Sequence, residues 1–251
     1  MDLERTSKEA KYEIQQQIRL NAWLHQTEVP VADVTSTHAD RVFDVIENAM
    51  ITGDIPLGCR LGEEALSRRL GVSRGTLREA LRRLEGRGLV ERLPRAGVRV
   101  VQMNLADLVE LYEIRESIEG MACRLAAQRM SVEEIQHLRK LLLKLEDTAL
   151  PSDKPHHGWD FHFLIAKASR SRRLEKILCQ DLYSLIRLCR LRLADRAAAR
   201  LERTRKDHLR ILDAIEERDG ELAEILMRRH IAAARNDLGQ QYIQTSRHEL
   251  D

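Results

Sequence analysis

Long apolar runs are missing from this chain. No stretch approaches the roughly 18 consecutive apolar residues of a membrane-spanning helix, and no signal-peptide pattern opens it. A protein of the cytoplasm with no membrane partner is therefore expected. Cysteine is sparse: Cys59, Cys123, Cys179 and Cys189 are scattered, with no C-x-x-C pair. That spacing argues against a disulfide-stapled fold and fits a reducing compartment. Cys179 and Cys189 fall in a leucine-rich helical pattern and read as small core residues rather than nucleophiles. Aromatic residues make up 4% of a chain that is 43% hydrophobic, so its cores must be built mainly from Leu, Ile, Val and Ala. There is no nucleophile elbow, P-loop or H-E-x-x-H, which argues against an enzyme.

What the chain does contain is organised around residues 62–88, GEEALSRRLGVSRGTLREALRRLEGRG. Leu66 and Leu70 share one helical face, Gly71 is suited to the left-handed backbone that ends a helix, and Ser73 can cap the next one. Leu77, Leu81 and Leu84 continue at helical spacing until Gly86 and Gly88, while the opposite face carries Arg74, Thr76, Arg78, Arg82 and Arg83. This is the pattern of a helix-turn-helix. After Gly88, LVERL and VRVV alternate apolar with polar residues around PRAG, predicting a hairpin that forms a wing.

Between Arg60 and Arg99 there are 11 Arg against 5 Glu, a local excess of six positive charges in a chain of net charge +2. The charge is concentrated at the predicted reading head, as binding to duplex DNA requires. The major groove admits a helix, and arginine pairs bidentately with guanine, so Ser73, Arg74, Gly75, Thr76 and Arg78 near the start of the second helix are the expected readers. Arg95 and Gly97 in the turn of the wing join them. The bland alternative is a helical hairpin with solvated arginines. The whole run from Arg41 to Val101 resembles the DNA-binding domain of the GntR family of bacterial transcription regulators, a resemblance that implies operator DNA as partner.

The chain is long enough for two domains. Residues 1–38 are expected to form a partly ordered arm with a basic start (Arg5, Lys8, Lys11) and a short amphipathic helix carrying Ile14, Ile18 and Leu24. Residues 39–101 make the winged helix-turn-helix, opened by a helix with Val42, Val45, Ile46 and Ala49 on its apolar face and stopped by Gly53. From residue 104 to 240 no strand signal remains. Six or seven amphipathic segments predict an all-α bundle, broken at LPSDKPHHG (150–158), where two prolines forbid a continuous helix. A C-terminal tail of 241–251 is expected. The fold class is thus mainly α: an N-terminal winged helix-turn-helix plus an all-α C-terminal bundle.

The segments DLVELYEIRESIEGMACRLAA, FHFLIAKAS, DHLRILDAIEERD and MRRHIAAA, in that order, resemble the FCD domain of the FadR branch of the same family. His208 lies in a row with Leu201, Thr204, Ile211, Leu212 and Ile215, His230 in a row with Leu222, Leu226 and Ala233, and His162 follows Phe161. Three inward histidines from three helices can converge on one transition-metal ion, or each can be a hydrogen-bonded core residue. The resemblance favours the ion. Many FCD domains hold a divalent metal through three histidines and one carboxylate, and His162, His208 and His230 match the histidine positions, with zinc or nickel expected.

The carboxylate position four residues before His162 is Gly158 here, and Asp160 can reach the site only from a late-starting or distorted helix. A three-histidine site completed by water, or by the carboxylate of an effector, follows. The resemblance also implies a homodimer on a two-fold operator and a small organic acid as effector. Arg115 and Glu119, one turn apart, are the candidates to bind it, either as an inward arginine holding a carboxylate or as a surface ion pair.

Overall fold

The computed structural model describes residues 14–24, 27, 37–94, 97–144, 161–191 and 197–248. The chain divides into two compact units, Met1–Gln102 and Met103–Asp251.

In the first unit a helix over residues 14–24 (α1) precedes α2, His38–Thr52. A reciprocal capping box starts α2: the Asp40 amide donates to Thr37 Oγ1 at 3.1 Å and the Thr37 amide donates to Asp40 Oδ2 at 2.8 Å. Gly53, at φ 79°, ends it. The helix-turn-helix is α3 (Glu63–Arg69) and α4 (Arg74–Gly86), followed by β2 (Val90–Leu93) and β3 (Gly97–Val100). Val42, Ile46, Leu66, Leu77, Leu81 and Leu84 are completely buried and form the core that seats α4.

Two features differ from the sequence-based expectation. The wing hairpin gains a third strand, β1 (Arg60–Leu61), which pairs antiparallel with β3 (Leu61 opposite Val98) in the order β1-β3-β2. Two residues carry no periodicity, and only the partner makes them a strand. The buried face of α1 is also not the Ile14/Ile18 stripe. Those residues are 59% and 60% exposed, while Leu20 and Leu24 are buried with Gln16. The register is fixed by polar contacts: Gln16 Nε2 donates to the Leu57 carbonyl (2.8 Å), Arg19 to Gly53 O (2.7 Å), and Arg69 Nε to Leu24 O (2.6 Å). A hydrogen-bonded Gln16 turns its neighbours two residues away, Ile14 and Ile18, toward the other side of the helix.

The second unit is helical throughout its described residues: α5 (Leu105–Arg129), α6 (Val132–Lys144), α7 (Phe161–Ala168), α8 (Arg172–Glu175), a π-helical stretch Lys176–Leu182 leading into α9 (Tyr183–Leu191), α10 (Ala197–Glu216) and α11 (Gly220–His248). α11 continues through His248, past residue 241 where a tail was expected. On α11 the buried positions include Ala223, Met227 and Ile231, whereas Leu222 is 39% exposed and does not belong to the inward row.

α5 is the spine and packs most extensively on α11. Two arginines in left-handed backbone, Arg170 (φ 50°) and Arg218 (φ 61°), serve its C-terminus. Arg218 Nη1 donates to the carbonyls of Ala127 (3.0 Å) and Met130 (2.7 Å), and Arg170 Nε donates to Arg129 O (3.0 Å). Cationic donors at the negative end of a helix satisfy carbonyls that have no intrahelical partner.

Candidate functional site

The reading head is built from α3, α4 and the wing. Ser73 caps α4: its Oγ accepts from the Thr76 amide at 3.1 Å and shares a 2.8 Å hydrogen bond with Thr76 Oγ1. This fixes the start of the helix and leaves Arg74 and Arg78 on its outer surface, 63% and 58% exposed. Gly75 has only Ser73 Oγ near its missing Cβ, at 3.7 Å, so nothing in the unit demands a glycine there. An incoming surface that approaches the backbone closely is a reason for one. Gly97 opens β3 at φ 79°, a conformation that L-residues rarely adopt. Arg95 lies outside the described residues.

The arginines of this unit divide by use. Arg83 pairs with Asp40, and Arg87 pairs with the buried Glu47 at 3.0 Å while lying over the Phe43 ring. Both tie α4 or its end to α2. Arg83, placed on the DNA-facing side by helical spacing, therefore has a packing task. Arg78 and Arg92 converge on Glu63, at 2.8 and 3.4 Å, joining α3, α4 and β2. Arg74 reaches Glu64 at 3.4 Å. Exposed pairs of this kind are worth about 0–1 kcal/mol, so Arg74 and Arg78 can exchange these carboxylates for phosphate or base edges. Glu63 was not legible as a hub, because the sequence separation to Arg92 hides the contact.

The second cluster lies within the bundle. His162 on α7, His208 on α10 and His230 on α11 are all buried and offer ligand atoms within 4.8 Å of one another. His208 Nε2 and His230 Nε2 are 3.3 Å apart. Two nitrogens bound tetrahedrally to zinc at ~2.0–2.1 Å stand roughly 3.3–3.4 Å apart, so this pair already has the spacing of two ligands. Phe161 stacks on the His208 ring, with centroids 4.2 Å apart, and holds its plane.

Two carboxylates back the cluster. His162 Nδ1 lies 2.5 Å from Glu119 Oε2, and His230 Nδ1 lies 3.2 Å from Asp207 Oδ2. A ring that gives its Nδ1–H to a carboxylate keeps its lone pair on Nε2, the arrangement typical of metal-ligating histidines. Burial, and next the neighbouring His162, push His230 down to about 4, so it is neutral near pH 7 and able to act as a ligand. Burial alone would raise the Glu119 carboxyl, but the Arg115 guanidinium and His162 together outweigh it and hold the group well below the usual carboxylate range.

Of the two readings of Arg115 and Glu119, the structure excludes the surface pair. Arg115 is 1% exposed and Glu119 3%, and Arg115 Nε donates to Glu119 Oε1 at 2.7 Å. Glu119 thereby bridges Arg115 to His162. Arg115 Nη1 is buried without a hydrogen-bond partner and borders a narrow cleft lined from α5, α7, the π-helical stretch and α9. Gly158 and Asp160 lie outside the described residues. Asp207 escaped sequence reasoning because its partner is on another helix. Its only signal was adjacency to His208, which at 100° per residue points elsewhere.

The donor set suits a divalent transition metal: neutral imidazoles on three rigid helices, with carboxylates orienting two of them.

Residues 38–100 match the family described as bacterial regulatory proteins, gntR family, and residues 110–233 match the FCD domain. The chain is 30% identical over 201 residues to a probable D-xylose utilization operon transcriptional repressor of Paenarthrobacter nicotinovorans, covering 79% of this chain and 87% of that protein. It is 31% identical over 198 residues to the HTH-type transcriptional repressor GlaR of Escherichia coli, covering 74% and 89%. Among solved structures, Escherichia coli McbR/YncC superposes with a TM-score of 0.68 at 21% identity, covering 83% of this chain and all of that one, which shows a shared fold. No helix among the described residues is long and apolar enough to cross a membrane. With a gntR-type DNA-binding segment followed by an FCD domain, and with regulators rather than enzymes as relatives, this chain belongs to the GntR family of bacterial transcription regulators, in the group carrying a C-terminal FCD domain.

Proposed function

We propose that this regulator is a cytoplasmic homodimer that reads a two-fold operator and senses a small organic acid at a metal centre. Ser73, Arg74, Gly75, Thr76 and Arg78 meet the major groove, with Arg95 and Gly97 in the wing reaching the flanking backbone. His162, His208 and His230 hold a divalent metal, zinc or nickel, through Nε2. Glu119 and Asp207 orient two of these ligands, and an open position is left for water or for the effector carboxylate, which Arg115 also faces. Asp160 is not required by this arrangement. Effector binding alters operator affinity only through differential affinity for two conformations of the regulator.

The observation that carries the reading is the 3.3 Å separation of His208 Nε2 and His230 Nε2 with carboxylates behind His162 and His230. Mass-spectrometric metal analysis of the native full-length protein should find one equivalent of metal per chain, and a variant with all three histidines changed to alanine should contain none. Native protein without stoichiometric metal, regaining none after addition of zinc or nickel, would sink the proposal.

A further inference from the structure

The cleft bordered by Arg115 has one polar end, formed by Arg115, Glu119 and His162, and otherwise largely apolar walls. At the polar end, Arg115 is 1% exposed and its Nη1 has no hydrogen-bond partner. An unsatisfied buried donor is costly and calls for an acceptor from outside the fold. Glu119 already balances the guanidinium charge, so a further anion is welcome only beside the cation that the three histidines would hold.

The walls say what the rest of the ligand is. Phe163 on α7 and Tyr183 on α9 stand with ring centroids 5.3 Å apart, and Leu178 and Ile186, both 5% exposed, close the other sides. Apart from the cluster itself, the described wall side chains offer only the Tyr183 hydroxyl and the Cys179 thiol as polar groups. A ligand with many hydroxyls would bury most of them without partners, a cost that a polar site avoids and this one does not. As it stands the cleft is narrow, with about 10 Å³ of open space, room for about one water, so a ligand enters only as its walls part. Leu178 and Cys179 also lie on the π-helical stretch, a rare and less regular backbone that recurs at functional sites and can shift toward α geometry at modest cost.

We infer that this cleft takes a carboxylate with a short apolar body, aromatic or branched aliphatic, rather than a polyhydroxy acid. The anion faces Arg115 and the metal-binding histidines, and the body lies against Phe163, Tyr183 and the π-helical stretch. The inference rests on the metal-sensor reading above and narrows it to a ligand class.

The test uses the full chain, stripped with chelator and reloaded with zinc, in two measurements. Zinc affinity is determined first by competition, and benzoate, isovalerate and gluconate are then titrated calorimetrically into loaded and stripped protein. The expected result is stoichiometric zinc and binding of benzoate or isovalerate at least about ten-fold tighter than gluconate, the discrimination that one or two buried apolar groups supply. Leu178→Asn should lose that preference while keeping its zinc affinity. Cys179→Asp, at a half-buried position, should abolish benzoate binding by placing a carboxylate against the body of the ligand while stoichiometric zinc is kept, the zinc reporting that the bundle is folded. Stoichiometric zinc with gluconate bound as tightly as benzoate, or with no acid bound, overturns the ligand class and leaves the metal site standing. Failure to bind zinc overturns the metal-sensor reading and this inference with it.

Discussion

Replacing Glu119 with glutamine keeps the shape of the side chain and removes the one negative charge between Arg115 and His162. In the native fold both Arg115 and Glu119 are almost fully buried and joined at 2.7 Å, so the variant leaves a guanidinium inside the bundle without a counter-charge. Breaking a buried pair from one side costs about 3–5 kcal/mol, a large part of the stability of a domain of this size. A second effect is separable. A glutamine amide has one acceptor oxygen where the carboxylate has two, so with that oxygen on Arg115 Nε its NH2 faces His162 Nδ1 and the acceptor that fixes the ring's tautomer is lost; deletions of this kind weaken metal affinity about 10- to 100-fold.

Urea unfolding of chelator-treated protein reports the first effect and zinc competition the second. Because the Glu119 carboxyl is held below its ordinary value of 4.5, its stabilisation is complete above that pH and lost as pH falls below it. The wild-type and Glu119→Gln stability curves should therefore converge in acid. Asp207→Asn is the internal comparison: Asp207 is 30% exposed and its contact with His230 is 3.2 Å, so its effect on stability should be far smaller. A Glu119→Gln protein with wild-type unfolding and wild-type zinc affinity would refute the role assigned to the bridge.

Three further outcomes are expected. His230 is pushed from 6.5 to about 4 by burial and His162, so the unfolded chain takes up this proton first; metal-free protein should lose up to roughly 3 kcal/mol as pH falls from about 6.5 to about 4, a slope that urea titrations across that window should detect and that His230→Asn should flatten. Arg74→Ala should cost about 1–3 kcal/mol of operator binding and relax specificity at one base pair if the side chain reads a guanine; footprinting that shows uniform weakening on all sequences would reassign it to phosphate, and unchanged binding would remove it from the interface. Arg218→Ala deletes two hydrogen bonds to the end of α5 while keeping a side chain at φ 61°, and should destabilise the protein by about 1–3 kcal/mol; Arg218→Gly should cost less, because glycine relieves the left-handed strain, and equal losses would mean that the backbone strain is negligible.

The sequence by itself determined what depends on neighbours within a turn or two of helix. Ser73 as a cap, Gly53 and Gly71 at helix ends, the Leu77–Leu81–Leu84 stripe and the alternation that makes the wing are local rules that the folded chain obeys. The same locality put His162, His208 and His230 on inward faces, since burial repeats with the helical period. Only tertiary structure decided which charges meet. It made Arg83 a tie to Asp40, gave Glu63 two arginine partners, set Gln16 rather than Ile14 against the core, and placed Glu119 and Asp207 behind two of the histidines. These contacts join residues far apart in sequence, and whether a carboxylate is solvated or buried beside a cation depends on which helix packs over it, a choice that periodicity does not encode.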